Sequence, residues 1–268
     1  MSVVGAWGKG VANWTTKPPL RSCRFSSPPP SRRKSNRGIR PGKLLPRALM
    51  AMTFIRRFTK TLADYSLALV LVIACFPLFL AAVLVIKSFS RGPLLYVQDR
   101  IGFNGCRFQI FKFRTMTVGA DETGSGSVTV RSDPRVFFGA GFLRRTKIDE
   151  LPQLFNVLNG TMSLVGPRPT VDEDYQRMSE EQRRRFSVKP GLTGLAQVRG
   201  NTALSWPERI EHDCWYIDHQ GTWLDFSILL RTVLLLVTVQ ADSHPPTSDE
   251  WAGDRGNDSA SEPVRPAA

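Results

Sequence analysis

Hydrophobic positions are distributed unevenly along this chain, and the longest run dominates its first half. Leu67–Ile86 (LALVLVIACFPLFLAAVLVI) is twenty residues without a charge. As a helix it reaches ~30 Å at ~1.5 Å per residue, about the thickness of a bilayer's hydrocarbon layer. Pro77 lies in its middle, where it removes a backbone donor and forces a kink. Arg56, Arg57 and Lys60 precede the run, and Lys87 and Arg91 follow it. The positive-inside rule then puts both ends in the cytoplasm, so the segment must enter the bilayer and turn back. A straight span is the alternative.

Beyond Gly92 the pattern shortens. Leu94–Arg100 and Arg107–Phe113 read as strands around a Gly102–Gly105 turn, which predicts a hairpin. Thr117–Pro134 is rich in Gly, Ser and Asp and reads as a mobile loop. Helical patterns follow at Leu151–Leu158, Thr170–Phe186 and Trp206–Asp218. Trp223–Val239 is strongly apolar but holds Asp225 and Arg231, which suits a helix lying in the membrane interface, with a core helix as the alternative. The pattern predicts an α+β, predominantly helical, monotopic membrane protein. It has an N-terminal re-entrant membrane helix, a small β-hairpin and interfacial amphipathic helices. Residues 1–51 form a disordered basic leader, 52–91 the membrane-inserted segment, 92–240 the cytoplasmic body and 241–268 a disordered acidic tail.

Charge refines this picture. The 268-residue chain carries a net +13, but residues 1–63 hold fourteen Lys/Arg and no acidic residue, while the remainder holds 22 Lys/Arg against 23 Asp/Glu. The body is therefore nearly neutral, which argues against nucleic acid as a partner, because a nucleic-acid-binding domain should carry positive charge on its own folded face. The leader's Pro, Ser, Gly and Arg show no period, so disorder is the default. It also resembles an organelle transit peptide, or an upstream extension with Met50 or Met52 as the true start. No C-x-x-C pair and only three scattered histidines (His212, His219, His244) argue against a zinc or imidazole-based metal site.

Candidate chemistry concentrates at Arg144–Leu158 (RRTKIDELPQLFNVL). Leu151, Leu154, Phe155 and Leu158 give one apolar helical face, and Pro152 suits the first turn. Asp149 and Glu150 then sit at the helix entrance, where free N–H groups and the dipole favour negative charge. They can be simple caps. Against that, Arg144, Arg145 and Lys147 bring cations to the same point, as a phosphate site requires. In Gly160–Pro169 (GTMSLVGPRP) the flanking Gly166, Pro167 and Pro169 leave Arg168 little backbone freedom, which suits two-pronged capture of phosphate. Lys189–Asn201 (KPGLTGLAQVRGN) is a Gly-rich loop bearing Lys189 and Arg199, in which the backbone can approach a ligand closely.

Five motifs occur in a familiar order: Lys112–Met116 (KFRTM), Asp149–Gln153 (DELPQ), Met162–Pro169 (MSLVGPRP), Lys189–Val198 (KPGLTGLAQV) and Trp215–Phe226 (WYIDHQGTWLDF). Over about Phe54–Val239 the chain resembles the bacterial sugar transferases known as monotopic polyprenyl-phosphate phosphoglycosyl transferases. The resemblance implies transfer of a sugar 1-phosphate from a UDP-sugar to undecaprenyl phosphate, with release of UMP. It implies a body that is a catalytic sugar transferase domain at the cytoplasmic face of the bacterial inner membrane, starting polysaccharide or glycoconjugate assembly. Asp149 is the implied nucleophile, forming a phosphosugar-aspartyl intermediate, and Glu150 is tied to a Mg²⁺ requirement. Arg144 and Arg168 match the family's arginines, Lys112 and Arg114 lie in its KFRTM motif, and Arg145, Lys189 and Arg199 complete the expected substrate-binding set. Pro77 occupies the place of the family's helix-breaking proline. The implied partners are the UDP-sugar, undecaprenyl phosphate and the bilayer, with a homo-oligomer left open. Thr161 before Met162, Phe76 before Pro77 and Arg199-Gly200-Asn201 depart from the family pattern and leave the donor sugar open. The non-enzyme alternative is a basic adaptor that uses residues 1–63 on anionic lipid.

Overall fold

In the computed structural model the described residues are 47–120 and 133–238, all within the unit Asn36–Ala268. The leader up to residue 46, most of the Thr117–Pro134 loop and the acidic tail lie outside them.

The apolar run forms two helices, α1 (Arg47–Ala74) and α2 (Phe76–Phe89), which meet at Cys75. Ile55–Ala74 and Phe76–Phe89 are bent by 57°. Pro77 supplies the reason: it has no N–H to continue α1 and sits in the first turn of α2, where none is needed. The hydrogen-bond ladder stops with the Cys75 N–H on the Leu71 carbonyl (2.8 Å) and restarts with the Phe79 N–H on the Cys75 carbonyl (3.0 Å). No single helix among the described residues is long and apolar enough to cross a membrane, although the bent pair has the length and composition to enter one.

The hairpin expected around Gly102–Gly105 forms. Strand β1 (Leu95–Ile101) pairs antiparallel with β2 (Arg107–Phe113), from Leu95 opposite Phe113 to Ile101 opposite Arg107. Asn104 and Gly105 turn the chain with positive φ. Among the described residues six further α-helices follow: α3 (Ala140–Arg145), α4 (Gln153–Leu158), α5 (Asp172–Arg177), α6 (Leu195–Arg199), α7 (Trp206–Asp218) and α8 (Thr222–Val237). The expected Thr170–Phe186 helix is two pieces, α5 and a 3₁₀ segment Gln182–Ser187. A parallel pair that the pattern does not predict joins β3 (Ser163–Val165) to β4 (Gly191–Thr193).

The main core gathers Ala68 of α1, Ile110 of β2, Leu154 and Val157 of α4, Leu164 and Val165 of β3, Tyr216 of α7 and Ile228 of α8. A second cluster joins Ala82 and Ile86 of α2 to Phe113, Leu143 and Ile148. Leu151 packs against both clusters, so the segment Ile148–Leu151 is held from two sides. α4 docks on the hairpin through Asn156, which is fully buried. Its amide donates to the Gln109 carbonyl (2.7 Å), and its Oδ1 accepts from the Phe111 N–H (3.0 Å). One side chain thereby extends the β2 hydrogen-bonding edge and sets Lys112 opposite the turn that carries Glu150.

Polar contacts fasten α1 to the body. Lys60 reaches Asp225 of α8 (2.8 Å), Ser163 of β3 donates to Asp64 (2.7 Å), and the Tyr216 hydroxyl of α7 donates to Asp225 (2.7 Å). Elsewhere the helices leave much apolar surface uncovered. Leu69, Val70, Ile73, Phe76, Leu80 and Leu84 on the bent pair are exposed, as are Trp223, Phe226, Leu230, Val233 and Val237 on α8. An exposed apolar surface of that extent marks an interaction face.

Candidate active site

Asp149 and Glu150 do not occupy the N-terminus of α4. They lie in a separate 3₁₀ turn, Ile148–Glu150, which ends before α4 begins at Gln153. Neither helix start receives a side-chain capping bond, so the simple cap reading fails on geometry. The chain enters this turn through Lys147, a non-glycine residue in the left-handed region (φ 56°). Such strain costs about 1–3 kcal/mol and persists where surrounding packing dictates it, commonly at functional sites. Here the two apolar clusters supply that packing.

Cations replace the helix dipole as the source of stabilisation. Lys112 donates to Glu150 Oε1 (3.1 Å), and Arg168 Nη2 donates to the same oxygen (2.9 Å). Burial pushes the Glu150 carboxyl up, but Arg168 and then Lys112 outweigh it and hold Glu150 well below the usual carboxylate range. Asp149 moves the other way, to about 6, through burial first and the neighbouring Glu150 charge second. Its Oδ1 is buried without a hydrogen-bond partner. Two adjacent carboxylates thus part in character: the cations favour the ionised form of Glu150, while Asp149, with one oxygen unengaged, is raised to about 6.

The turn carrying Arg168 is built from backbone packed on backbone. The Gly166 N–H bonds the Thr193 carbonyl, and the Gly191 N–H bonds the Pro167 carbonyl (2.9 Å each). A Cβ on Gly191 would lie 2.1 Å from the Gly166 nitrogen, and one on Gly194 would lie 2.2 Å from its carbonyl oxygen. The glycines of the Gly-rich loop therefore serve close approach to another stretch of chain. Behind this turn stands Arg185, 2% exposed. It donates to the Arg168 carbonyl (3.0 Å), to Thr170 Oγ1 (2.8 Å) and to Asp213 (2.6 Å). In sequence Arg183–Arg185 looks like a solvated basic run, so nothing local marks Arg185 as buried.

The structure brings together Asp149, Glu150, Lys112 and Arg168, with Arg144 and Lys147 close enough to lower the Asp149 carboxyl. Arg145, on the exposed side of α3, is not among the cations that chiefly lower Asp149. Arg114 is buried and fully occupied elsewhere, donating to the carbonyls of Pro93 (2.7 Å), Arg91 (3.2 Å) and Ser90 (3.4 Å) at the end of α2. Lys189 lies over the Tyr65 ring of α1, and Arg199 over the Trp215 ring of α7. Neither of these two contacts the acidic pair. Arg100 of β1, which motif spacing did not single out, does feel the field of Glu150 and Arg168.

No cluster of three His, Cys, Asp or Glu side chains gathers among the described residues. The donor set nonetheless suits Mg²⁺, which takes one or two carboxylates and completes its shell with phosphate oxygens and water. Asp149 Oδ1 has no competing donor. Both contacts on Glu150 fall on Oε1, so its second oxygen takes neither.

Residues 55–239 match the family described as bacterial sugar transferase. The chain is 38% identical over 197 residues to the uncharacterized sugar transferase EpsL of Bacillus subtilis, covering 72% of this chain and 96% of that one. It is 42% identical over 208 residues to a UDP-glucose:undecaprenyl-phosphate glucose-1-phosphate transferase of Caulobacter vibrioides, covering 75% of each. A UDP-galactose-lipid carrier transferase of Erwinia amylovora is 35% identical over 193 residues. The match takes in 66% of this chain and 40% of that relative, so the chain spans well under half its length.

Proposed function

The chain belongs to the bacterial sugar transferase family and is an enzyme rather than a membrane-surface adaptor, and we propose that it transfers a sugar 1-phosphate from a UDP-sugar to undecaprenyl phosphate. The observation that carries the chemistry is the contrast within the acidic pair. Glu150 is bound by Lys112 and Arg168, while Asp149, raised to about 6, keeps an oxygen that nothing else engages. A carboxylate of that kind is ionised at neutral pH yet remains more basic than an ordinary aspartate, which suits a nucleophile.

The reaction then proceeds by two displacements. The Asp149 carboxylate attacks the phosphorus that bears the sugar. The bond from that phosphorus to the bridging oxygen breaks, UMP leaves with the electron pair, and an acyl phosphate remains. A phosphate oxygen of undecaprenyl phosphate attacks the same phosphorus, restoring the carboxylate and leaving a lipid diphosphate-sugar. Arg168, with Lys112, Lys147 and Arg144 around it, offsets the repulsion between a carboxylate and an anionic diphosphate. Glu150 would hold Mg²⁺ together with donor phosphate oxygens, and the ion when bound would neutralise the charge of the diphosphate.

The acceptor is a lipid, and the apolar faces of α1, α2 and α8 support a body that sits at the bilayer. The 57° bend and the paired basic flanks support re-entry at the cytoplasmic face. The product would be the first lipid-linked intermediate of polysaccharide or glycoconjugate assembly, including exopolysaccharide. The test is intact-protein mass spectrometry of enzyme given UDP-sugar and Mg²⁺ without lipid. One UMP per active site and a phosphosugar adduct are expected, discharged by undecaprenyl phosphate and absent in Asp149→Asn. Normal lipid-dependent turnover with no donor-only adduct would sink the covalent route.

A further inference from the structure

Around the acidic pair the cations outnumber the carboxylates, and one of them has no carboxylate of its own at rest. Arg100, at the end of β1, is half-buried. Its guanidinium donates from Nε (3.1 Å) and Nη2 (2.6 Å) to a single neutral acceptor, Gln98 Oε1 on its own strand. Among the described residues no carboxylate lies within ion-pair distance of it. Asp174, Tyr96 and Glu150 act on it only through space, and Arg168 faces it with the same sign. Burial, and then Arg168, lower its affinity for its own proton, to about 10.

This arrangement costs stability in the resting protein. A partly buried guanidinium normally takes a carboxylate or several carbonyls, as Arg185 and Arg114 do here. Two guanidiniums brought within range of each other raise that cost further. It is recovered when an anion enters between them, because each planar fork can donate two parallel hydrogen bonds to phosphate oxygens.

We propose that Arg100, held by Gln98, is a second phosphate-binding side chain of the active site, closing with Arg168 on a phosphate oxyanion of the substrate. The identity of that oxyanion rests on the proposed reaction: it is the diphosphate of the nucleotide-sugar or the phosphate of the lipid acceptor. The need for an anion there does not. Gln98 is the positioning residue, since it fixes the fork without neutralising it.

The experiment uses the full chain in lipid nanodiscs, with inorganic pyrophosphate as binding probe and steady-state kinetics in both substrates. Arg100→Met removes the fork and keeps much of the volume. It is expected to weaken pyrophosphate binding by roughly tenfold or more, the loss typical of a hydrogen bond to a charged group. Its melting temperature should hold or rise, because an uncompensated charge has gone. Arg100→Lys should restore part of the binding, and Gln98→Leu should weaken it with the charge still present. A raised KM for UDP-sugar alone assigns the site to the donor, and a raised KM for undecaprenyl phosphate alone assigns it to the acceptor. Pyrophosphate affinity and both KM values within about twofold of the parent would overturn the proposal. So would a fall in melting temperature with both KM values unchanged, which marks a merely structural arginine. A parent protein that binds pyrophosphate through Arg100 yet releases no UMP from any UDP-sugar would refute the reaction and leave the clamp standing.

Discussion

Replacing Asp213 with asparagine removes the charge that balances Arg185 and changes almost nothing in size. Both residues are 2% exposed, and their side chains lie 2.6 Å apart. The variant therefore leaves a buried guanidinium with only neutral acceptors, the Arg168 carbonyl, Thr170 and the new amide. Breaking one partner of such a pair costs about 3–5 kcal/mol, and the remaining acceptors place this case near the lower end. For a body of this size each kcal/mol moves the melting temperature by ~2–4 °C, which predicts a fall of ~6–12 °C. The assay is thermal unfolding of the purified protein in detergent at one fixed scan rate, since irreversible unfolding makes the midpoint rate-dependent. A second readout separates support of the fold from support of the site. Arg185 also holds the Arg168 carbonyl, so the variant should show a raised donor KM well below its melting temperature. The double variant Arg185→Met with Asp213→Leu should regain most of the stability, because an apolar pair replaces a buried ion pair at little cost. It should not regain the donor KM. A single variant that melts within about 2 °C of the parent would refute the counter-ion argument. A double variant with parental kinetics would show that the Arg168 turn needs no such support.

Donor-only adduct formation should increase as pH rises through about 6, the value to which burial and Glu150 raise Asp149, and then level off. The same shift has a stability sign. A carboxyl raised in the folded state favours folding below its unfolded value, near 3.8, and that contribution is lost as pH rises through about 6. Asp149→Asn should therefore melt higher than the parent at pH 7–8, by on the order of 1–3 kcal/mol, and lose the advantage below pH 4. Glu150→Gln removes the anion on which Lys112 and Arg168 converge. It should cut turnover by roughly 10²–10³ and flatten the Mg²⁺ response, the size expected for a fixed electrostatic group; near-normal kinetics with an unchanged Mg²⁺ titration would reduce Glu150 to a structural anchor. Pro77→Leu should let the α1 ladder continue into α2, straightening the 57° bend and moving some molecules to a true span. Cysteine-accessibility labelling at Met52 on the periplasmic side of the parent protein would refute the re-entrant reading.

Where the sequence reading succeeded, the determinants were close together in the chain. The hairpin follows from two short strand-like runs around the Gly102–Gly105 turn, and its strands match to within one residue. The Trp206–Asp218 helix has the expected ends because Ser205 and Glu208 form a reciprocal capping box, a signal four residues long. The Leu151–Leu158 stripe was legible only in part. α4 buries Gln153, Leu154, Asn156 and Val157, while Phe155 stays 45% exposed against Phe79. Its buried face is set by the hairpin edge that Asn156 completes, which no local period encodes. The β3–β4 pair joins three-residue strands by parallel pairing across the chain, and Gly166 and Gly191 reveal their purpose only when the two backbones meet.

The acidic pair was legible for a reason that the structure changes. Cations do converge on it, but the two that touch Glu150 are Lys112, 38 residues away in sequence, and Arg168, 18 residues away, rather than the adjacent Arg144 and Arg145. The same distinction sorts the remaining arginines. A motif shows that a guanidinium is present, whereas its availability to a substrate depends on what its donors hold at rest. Arg114 holds three carbonyls and Arg185 holds a carboxylate, a carbonyl and a hydroxyl, so neither can release them without unsatisfied buried groups. Arg168 holds one carboxylate oxygen and is about half exposed, so it can take a phosphate at little cost. Arg100 holds one neutral amide oxygen and faces a like charge, so an incoming anion relieves its surroundings. The proposed phosphate site accordingly draws on Arg168 and Arg100, while Arg114 and Arg185 hold the structure.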